Sequence, residues 1–72
     1  MKKSEIRNKI GLRIKELRVQ HNLTQEKFAL MTVINRSYLA DIEKGHRNFG
    51  FDTLERIVEG FGISYSEFFE GL

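Results

Sequence analysis

The stretch Gln25–Asn48, QEKFALMTVINRSYLADIEKGHRN, decides the reading of this chain. Thr24 stands just before it, with a hydroxyl able to accept an orphan backbone N–H, so a helix is expected from about Gln25 to Thr32. Phe28 and Ala29 are its inward residues, and Ala29 is small where two helices must approach closely. Asn35 is the next cap and Gly45 the next stop, which sets a second helix from about Arg36 to Lys44. Leu39 and Ile42 form its buried side, and Ile34 seals the turn below. The pair is two short helices joined by a tight turn, the second opening on Asn35-Arg36-Ser37-Tyr38.

The flanking segments read as the packing that holds this pair. Ile6, Ile10, Ile14 and Leu17 recur at helical spacing and predict a first helix from about Ser4 to His21 with these four as its buried stripe. Asn22 is a left-handed stop, after which Leu23 drops into the core. His46 to Phe49 form a loop. Gly50 is a weak cap for a fourth helix, about Phe51 to Phe61, with Leu54, Ile57, Val58 and Phe61 inward and Gly62 as its stop. Ser64-Tyr65-Ser66-Glu67 is a capping box that opens a last short helix carrying Phe68 and Phe69. No segment alternates with period two, so the expectation is an all-α domain of five helices spanning residues 1–72.

Composition removes several classes. With no cysteine, disulfides and thiolate metal sites are impossible, which fits a cytoplasmic location. No apolar run approaches the roughly 20 residues of a membrane span, and Met1-Lys2-Lys3-Ser4 lacks the apolar stretch of a signal peptide. His21 and His46 have no partner at metal-ligand spacing, and no glycine-rich phosphate loop or nucleophile elbow is present. Neither a metal, a cofactor nor an enzymatic role is expected. The net charge of +2 conceals an asymmetry. Residues 1–49 hold eleven Lys/Arg against five Asp/Glu, and residues 50–72 hold Arg56 against five acids. One surface drawn to a polyanion and another turned away from it would give this division, and so would ordinary solvated helix faces.

The second helix of the pair leaves Asn35, Arg36, Ser37, Ala40, Asp41 and Lys44 opposite its core side. Arg36 can donate two hydrogen bonds to guanine, Ser37 can bond a base or phosphate, and Ala40 leaves room for a base edge. Asn35 belongs with this base-reading group and Lys44 with the backbone contacts. Gln25, at the start of its helix among free N–H groups, suits a phosphate oxygen. The Tyr38 hydroxyl, Arg47 and Asn48 add backbone contacts nearby. Each residue alone has an ordinary surface or packing role; the clustering carries the inference.

Taken together, LTQEKFA, NRSYLADIEKGHRN, FDTLERIVEGFGIS and SEFF resemble the lambda-repressor and Cro class of helix-turn-helix regulators, in order and without gaps from about Ile10 to Phe69. Within that class the chain is most similar to the controller proteins of restriction–modification systems, with phage-type repressors and other small regulators sharing the frame. The resemblance implies a compact five-helix DNA-binding domain with Gln25 as a phosphate clamp, Arg36 and Ser37 reading bases, and Tyr38, Arg47 and Asn48 gripping the backbone. It also implies that Arg18 pairs with Glu43. The chain departs from the pattern at Val33, where glycine is usual, and at Phe49, where proline is common before the fourth helix. A β-branched residue at the turn either relaxes it or carries the strain of positive φ.

A homodimer on a pseudo-palindromic site is expected, since a 72-residue core gains from a partner. Ile63, Tyr65, Phe68 and Phe69 crowd the last short helix and are the expected dimer surface; the alternative is that Phe68 folds back on its own core. No small-molecule effector is expected. The rival from another class is a helical protein-interaction module, such as an antitoxin half, that uses the apolar C-terminal end without entering a groove.

Overall fold

A computed structural model describes residues 5–72. It consists of α1 (Glu5–Gln20), α2 (Gln25–Thr32), α3 (Arg36–Glu43), α4 (Phe51–Phe61) and α5 (Tyr65–Phe68). No strand occurs among the described residues.

Local side-chain chemistry sets most of the boundaries. The Thr24 hydroxyl accepts from the Lys27 N–H at 3.0 Å, the Asn35 carboxamide oxygen from Tyr38 at 3.1 Å, and the Ser64 hydroxyl from Glu67 at 3.0 Å. Each satisfies a donor that the first helical turn cannot. Gly50, which has no side chain to do this, starts α4 uncapped. The helices stop in left-handed residues: Asn22 (φ 57°), Val33 (φ 58°), Gly45 (φ 78°) and Gly62 (φ 70°). After the first three, the next N–H reaches back five residues, Leu23 to Arg18, Ile34 to Ala29 and His46 to Asp41, at 3.0, 3.0 and 2.9 Å. These are the six-to-one bonds of Schellman turns.

The core joins Ile14 and Leu17 of α1, Phe28 and Ala29 of α2, Ile34, Leu39 and Ile42 around α3, Ile57, Val58 and Phe61 of α4, and Phe68 of α5. Phe28 and Phe61 stack with centroids 4.4 Å apart, locking α2 to α4. Gly11 is where α1 crosses α3. A Cβ there would fall on the Ile42 carbonyl oxygen and lie 2.7 Å from that of Glu43, so the two backbones meet without a side chain between them.

Four expectations need correction. Ile6 is 64% exposed and lines an open hollow with Phe69 and Leu72; Gly11 and Arg18 share the buried face of α1 instead. Helix α1 ends at Gln20 and α3 at Glu43, with Lys44 as its C-cap. Phe69 lies just past α5 and stacks edge-on against Phe68 at 5.0 Å. Phe68 is fully buried within its own chain, so it supports the C-terminal surface from beneath and is no part of it. Met1 to Ser4, expected to begin α1 at Ser4, lie outside the described residues.

Candidate nucleic-acid interface

The α3 first turn contains no acid, and Asn35, Arg36 and Ser37 are all exposed there. The Asn35 oxygen is committed to the cap, leaving its NH2 as a free donor. Arg36 projects from a short, two-sided seat: the cap fixes where α3 begins, and fully buried Leu39 and Ile42 fix which way it is rolled.

Behind α3 lies a buried polar brace. Arg18 donates from Nε to Glu43 Oε2 at 2.8 Å and from Nη2 to Oε1 at 3.1 Å, while Nη1 donates to the Leu23 carbonyl at 2.8 Å. The side chains are 11% and 3% exposed. The fork-to-fork geometry satisfies both charges and ties the end of α1, the entry to α2 and the end of α3 to one another. Gln25 joins this brace, its Nε2 donating to Glu43 Oε1 at 3.0 Å. The expected phosphate clamp is therefore held in place by an acid of α3, with one amide hydrogen still unspent.

The loop after α3 folds back on it. The Tyr38 hydroxyl donates to the Asn48 carbonyl at 3.2 Å, and the Arg47 guanidinium sits 5.0 Å above the Tyr38 ring. Arg47 also approaches Asp41, 3.7 Å away, with both side chains largely open to water. Tyr38, Arg47 and Asn48 are thus one cluster, Gln25 and Glu43 another, and Lys44 is exposed at the α3 terminus.

Three features escaped the sequence reading. Arg56 of α4 donates from Nη1 to the Val33 carbonyl at 3.2 Å. Arg13 of α1 grips the last turn of α5, donating to the carbonyls of Phe68 and Glu67 at 2.8 Å each. Leu30, Met31 and Val33 stand exposed on α2 and the turn, and Leu30 and Val33 border a shallow hollow of about 470 Å³ that reaches Arg36. These arginine contacts span 23 to 55 residues of sequence, so no local pattern announces them.

At the opposite end, Tyr65 (45%) and Phe69 (38%) are exposed, and Ile63 is half-buried. Ile6, Phe69 and Leu72 line a second hollow with Glu5 and Lys9. The Tyr65 hydroxyl is held above the ordinary tyrosine range by partial desolvation and then by the carboxylates of Glu55 and Glu59. Among the described residues no group of His, Cys, Asp or Glu is placed to hold a metal ion, and no helix is long and apolar enough to cross a membrane.

Comparison with known proteins agrees with this architecture. Residues 14–68 match the helix-turn-helix family. The chain is 37% identical over 70 residues to the control protein C.MunI of Mycoplasma sp, covering 96% of this chain and 95% of that one. It is 34% identical over 61 residues to the control protein C.BamHI of Bacillus amyloliquefaciens, covering 83% and 75%. Among solved structures it is similar to C.Esp1396I bound to a 25 base-pair operator site, with a TM-score of 0.86 at 34% identity, covering 94% of this chain and 90% of that one.

Proposed function

Because the chain belongs to the lambda-repressor and Cro class of helix-turn-helix regulators, and within it to the restriction–modification controller type, we propose that it binds a pseudo-palindromic operator as a homodimer and regulates its own promoter and a nuclease gene. The observation that carries this reading is the first turn of α3. It offers a guanidinium, a hydroxyl and a carboxamide to solvent, on a helix braced from behind by buried Arg18 and Glu43.

In the proposed complex α3 enters the major groove. Arg36 donates two hydrogen bonds to the O6 and N7 of a guanine, a pairing worth about 1–3 kcal/mol of discrimination. Ser37 and the Asn35 NH2 contact neighbouring base edges. Gln25 directs its remaining amide hydrogen, with the free N–H groups of the α2 N-terminus, at a phosphate oxygen. Arg47 and Lys44 supply charge to the backbone, and Tyr38 and Asn48 hold Arg47's loop against α3. None of these backbone contacts depends on sequence, so they set register while the α3 first turn selects.

The dimer uses the α4–α5 end of the chain, through Ile63 between the two helices, Tyr65 of α5 and Phe69 just past it, with Phe68 as the buried support. A two-fold axis there would present the two α3 helices to successive major grooves, about 34 Å apart. The acidic C-terminal segment then faces away from the phosphates, which accounts for the charge division along the chain.

Selection of bound duplexes from a randomised library, followed by anisotropy titration, tests the proposal. The expected product is a pseudo-palindrome with half-sites about one helical turn apart. Arg36→Ala should relax base choice at one position of each half-site, whereas Arg47→Ala should weaken all duplexes alike and flatten the salt dependence. Weak, salt-sensitive binding with no enriched sequence would reject the operator-reading role and leave only a basic surface.

A further inference from the structure

Val33 occupies a backbone conformation that suits it poorly. At φ 58° and ψ 46° it is left-handed, where a β-branched side chain crowds its own carbonyl. The residue is 77% exposed, so no burial offsets the strain. Asn22 is the other non-glycine residue with positive φ among the described residues, and asparagine tolerates that region far better. The strained residue also lies two positions before the cap of α3 and three before Arg36. Any relaxation of Val33 toward negative φ would swing the start of α3, because ψ at Val33 and the peptide plane that follows set the direction in which Ile34 and Asn35 leave the turn.

One side chain outside the turn holds that peptide plane. Arg56 is the sole base among residues 50–72, and Asp52 and Glu59 lie one helical turn to either side of it on α4. Its Nη1 instead donates to the Val33 carbonyl oxygen, whose position reports ψ at Val33 directly. We infer that Arg56 is a positioning residue for base reading: by fixing the Val33 carbonyl it keeps the strained turn closed and sets the aim of Arg36 and Ser37, without itself touching DNA. This rests on the proposal that the α3 first turn reads bases. It also links that turn to α4, the helix that leads into the proposed dimer surface.

Four proteins test the inference: wild type, Arg56→Ala, Val33→Gly and the double variant. Each is titrated with its selected operator and with an unrelated duplex of equal length over a range of salt concentrations, after circular dichroism has established folding. Arg56→Ala should lower the ratio of operator to unrelated affinity by about fivefold, the effect of one lost charge-assisted hydrogen bond at a surface. The salt slope should stay that of wild type, because no phosphate contact has gone. Adding Val33→Gly should restore the ratio to within about twofold, since glycine keeps the left-handed turn unaided. An unchanged ratio in Arg56→Ala would overturn the inference. So would equal weakening on both duplexes with a shallower salt slope, which would make Arg56 a phosphate contact, or failure of glycine to rescue. If Arg56→Ala does not fold, Arg56 is a fold contact and the inference is likewise overturned. A wild type with no preference between duplexes would instead remove base reading itself, and this inference with it.

Discussion

Replacing Glu43 with glutamine should cost this domain a large part of its stability, although the substitution is isosteric. The Glu43 carboxylate receives three donors: Arg18 Nε on Oε2, and Arg18 Nη2 and Gln25 Nε2 on Oε1. A carboxamide has one accepting oxygen, so whichever way it turns, its NH2 faces at least one of these N–H groups. The side chain is 3% exposed and water cannot fill the role. Breaking one side of a buried ion pair costs about 3–5 kcal/mol. Arg18 retains the Leu23 carbonyl and is slightly more open, which argues for the lower end, about 3 kcal/mol. A domain of 72 residues has about 4–11 kcal/mol in total. The expected fall in Tm is therefore about 12–24 °C, measured by circular dichroism and checked by urea titration. The companion variant Arg18→Met with Glu43→Leu removes both charges and should recover to within about 1 kcal/mol of wild type. A loss below about 1 kcal/mol in Glu43→Gln would refute the reasoning, because the pair would then be behaving as a surface bridge. A double variant no better than the single would refute it too, by placing the cost in packing.

Gly11→Ala should destabilise by about 2 kcal/mol or more despite alanine's better helix propensity, because its Cβ would strike the α3 backbone at Ile42 and Glu43; thermal melts would check this, and a stabilised variant would reject the close crossing. Arg13→Ala takes from the Phe68 carbonyl its Arg13 donor and leaves the Glu67 carbonyl with only backbone N–H donors, so α5 should loosen and sedimentation should report dissociation of the proposed dimer at higher protein concentration than for wild type. Tyr65 should ionise above the ordinary tyrosine value of 10.0, seen as the difference in ultraviolet titration between wild type and Tyr65→Phe, and Glu55→Gln with Glu59→Gln should bring it down. Since the folded chain holds this proton more tightly than the unfolded one, the associated stability is present below that ordinary value and is lost as pH rises through the folded value.

The parts of this fold that sequence revealed are those decided within a few residues. Thr24, Asn35 and Ser64 cap because their side chains reach N–H groups three positions on, and Asn22, Gly45 and Gly62 stop helices because of their own φ. The exposed Asn35-Arg36-Ser37 turn follows from the same local rules. What escaped is what depends on a distant partner. Ile6 keeps the periodicity of α1 but lies at an open hollow beside Phe69 and Leu72, which do not cover it. Gly11 looks unremarkable until α3 is seen crossing it. For Phe68 sequence left two outcomes open, surface or core; a tertiary contact draws it inward, while Phe69, adjacent in sequence, stays partly outside. At Val33 sequence allowed either a relaxed or a strained turn; the left-handed turn is kept, and the contact that accompanies it comes from Arg56, 23 residues on.

The Gly11 crossing and the Arg18–Glu43 brace both act near the C-terminal end of α3, whereas Arg36 sits at the other end. Mechanically, α3 is a lever with its fulcrum at residues 42–43 and its working tip about 10 Å away. A tilt of about 10° at the fulcrum displaces the tip by about 2 Å, well past the roughly 0.5 Å within which a positioned binding group stays effective. In the proposed complex, small errors far from the groove would thereby be magnified at the bases. On the proposed base-reading role, retargeting this domain to another sequence is best attempted by exchanging side chains at positions 35–37, because substitutions at the fulcrum draw on the stability of the whole domain.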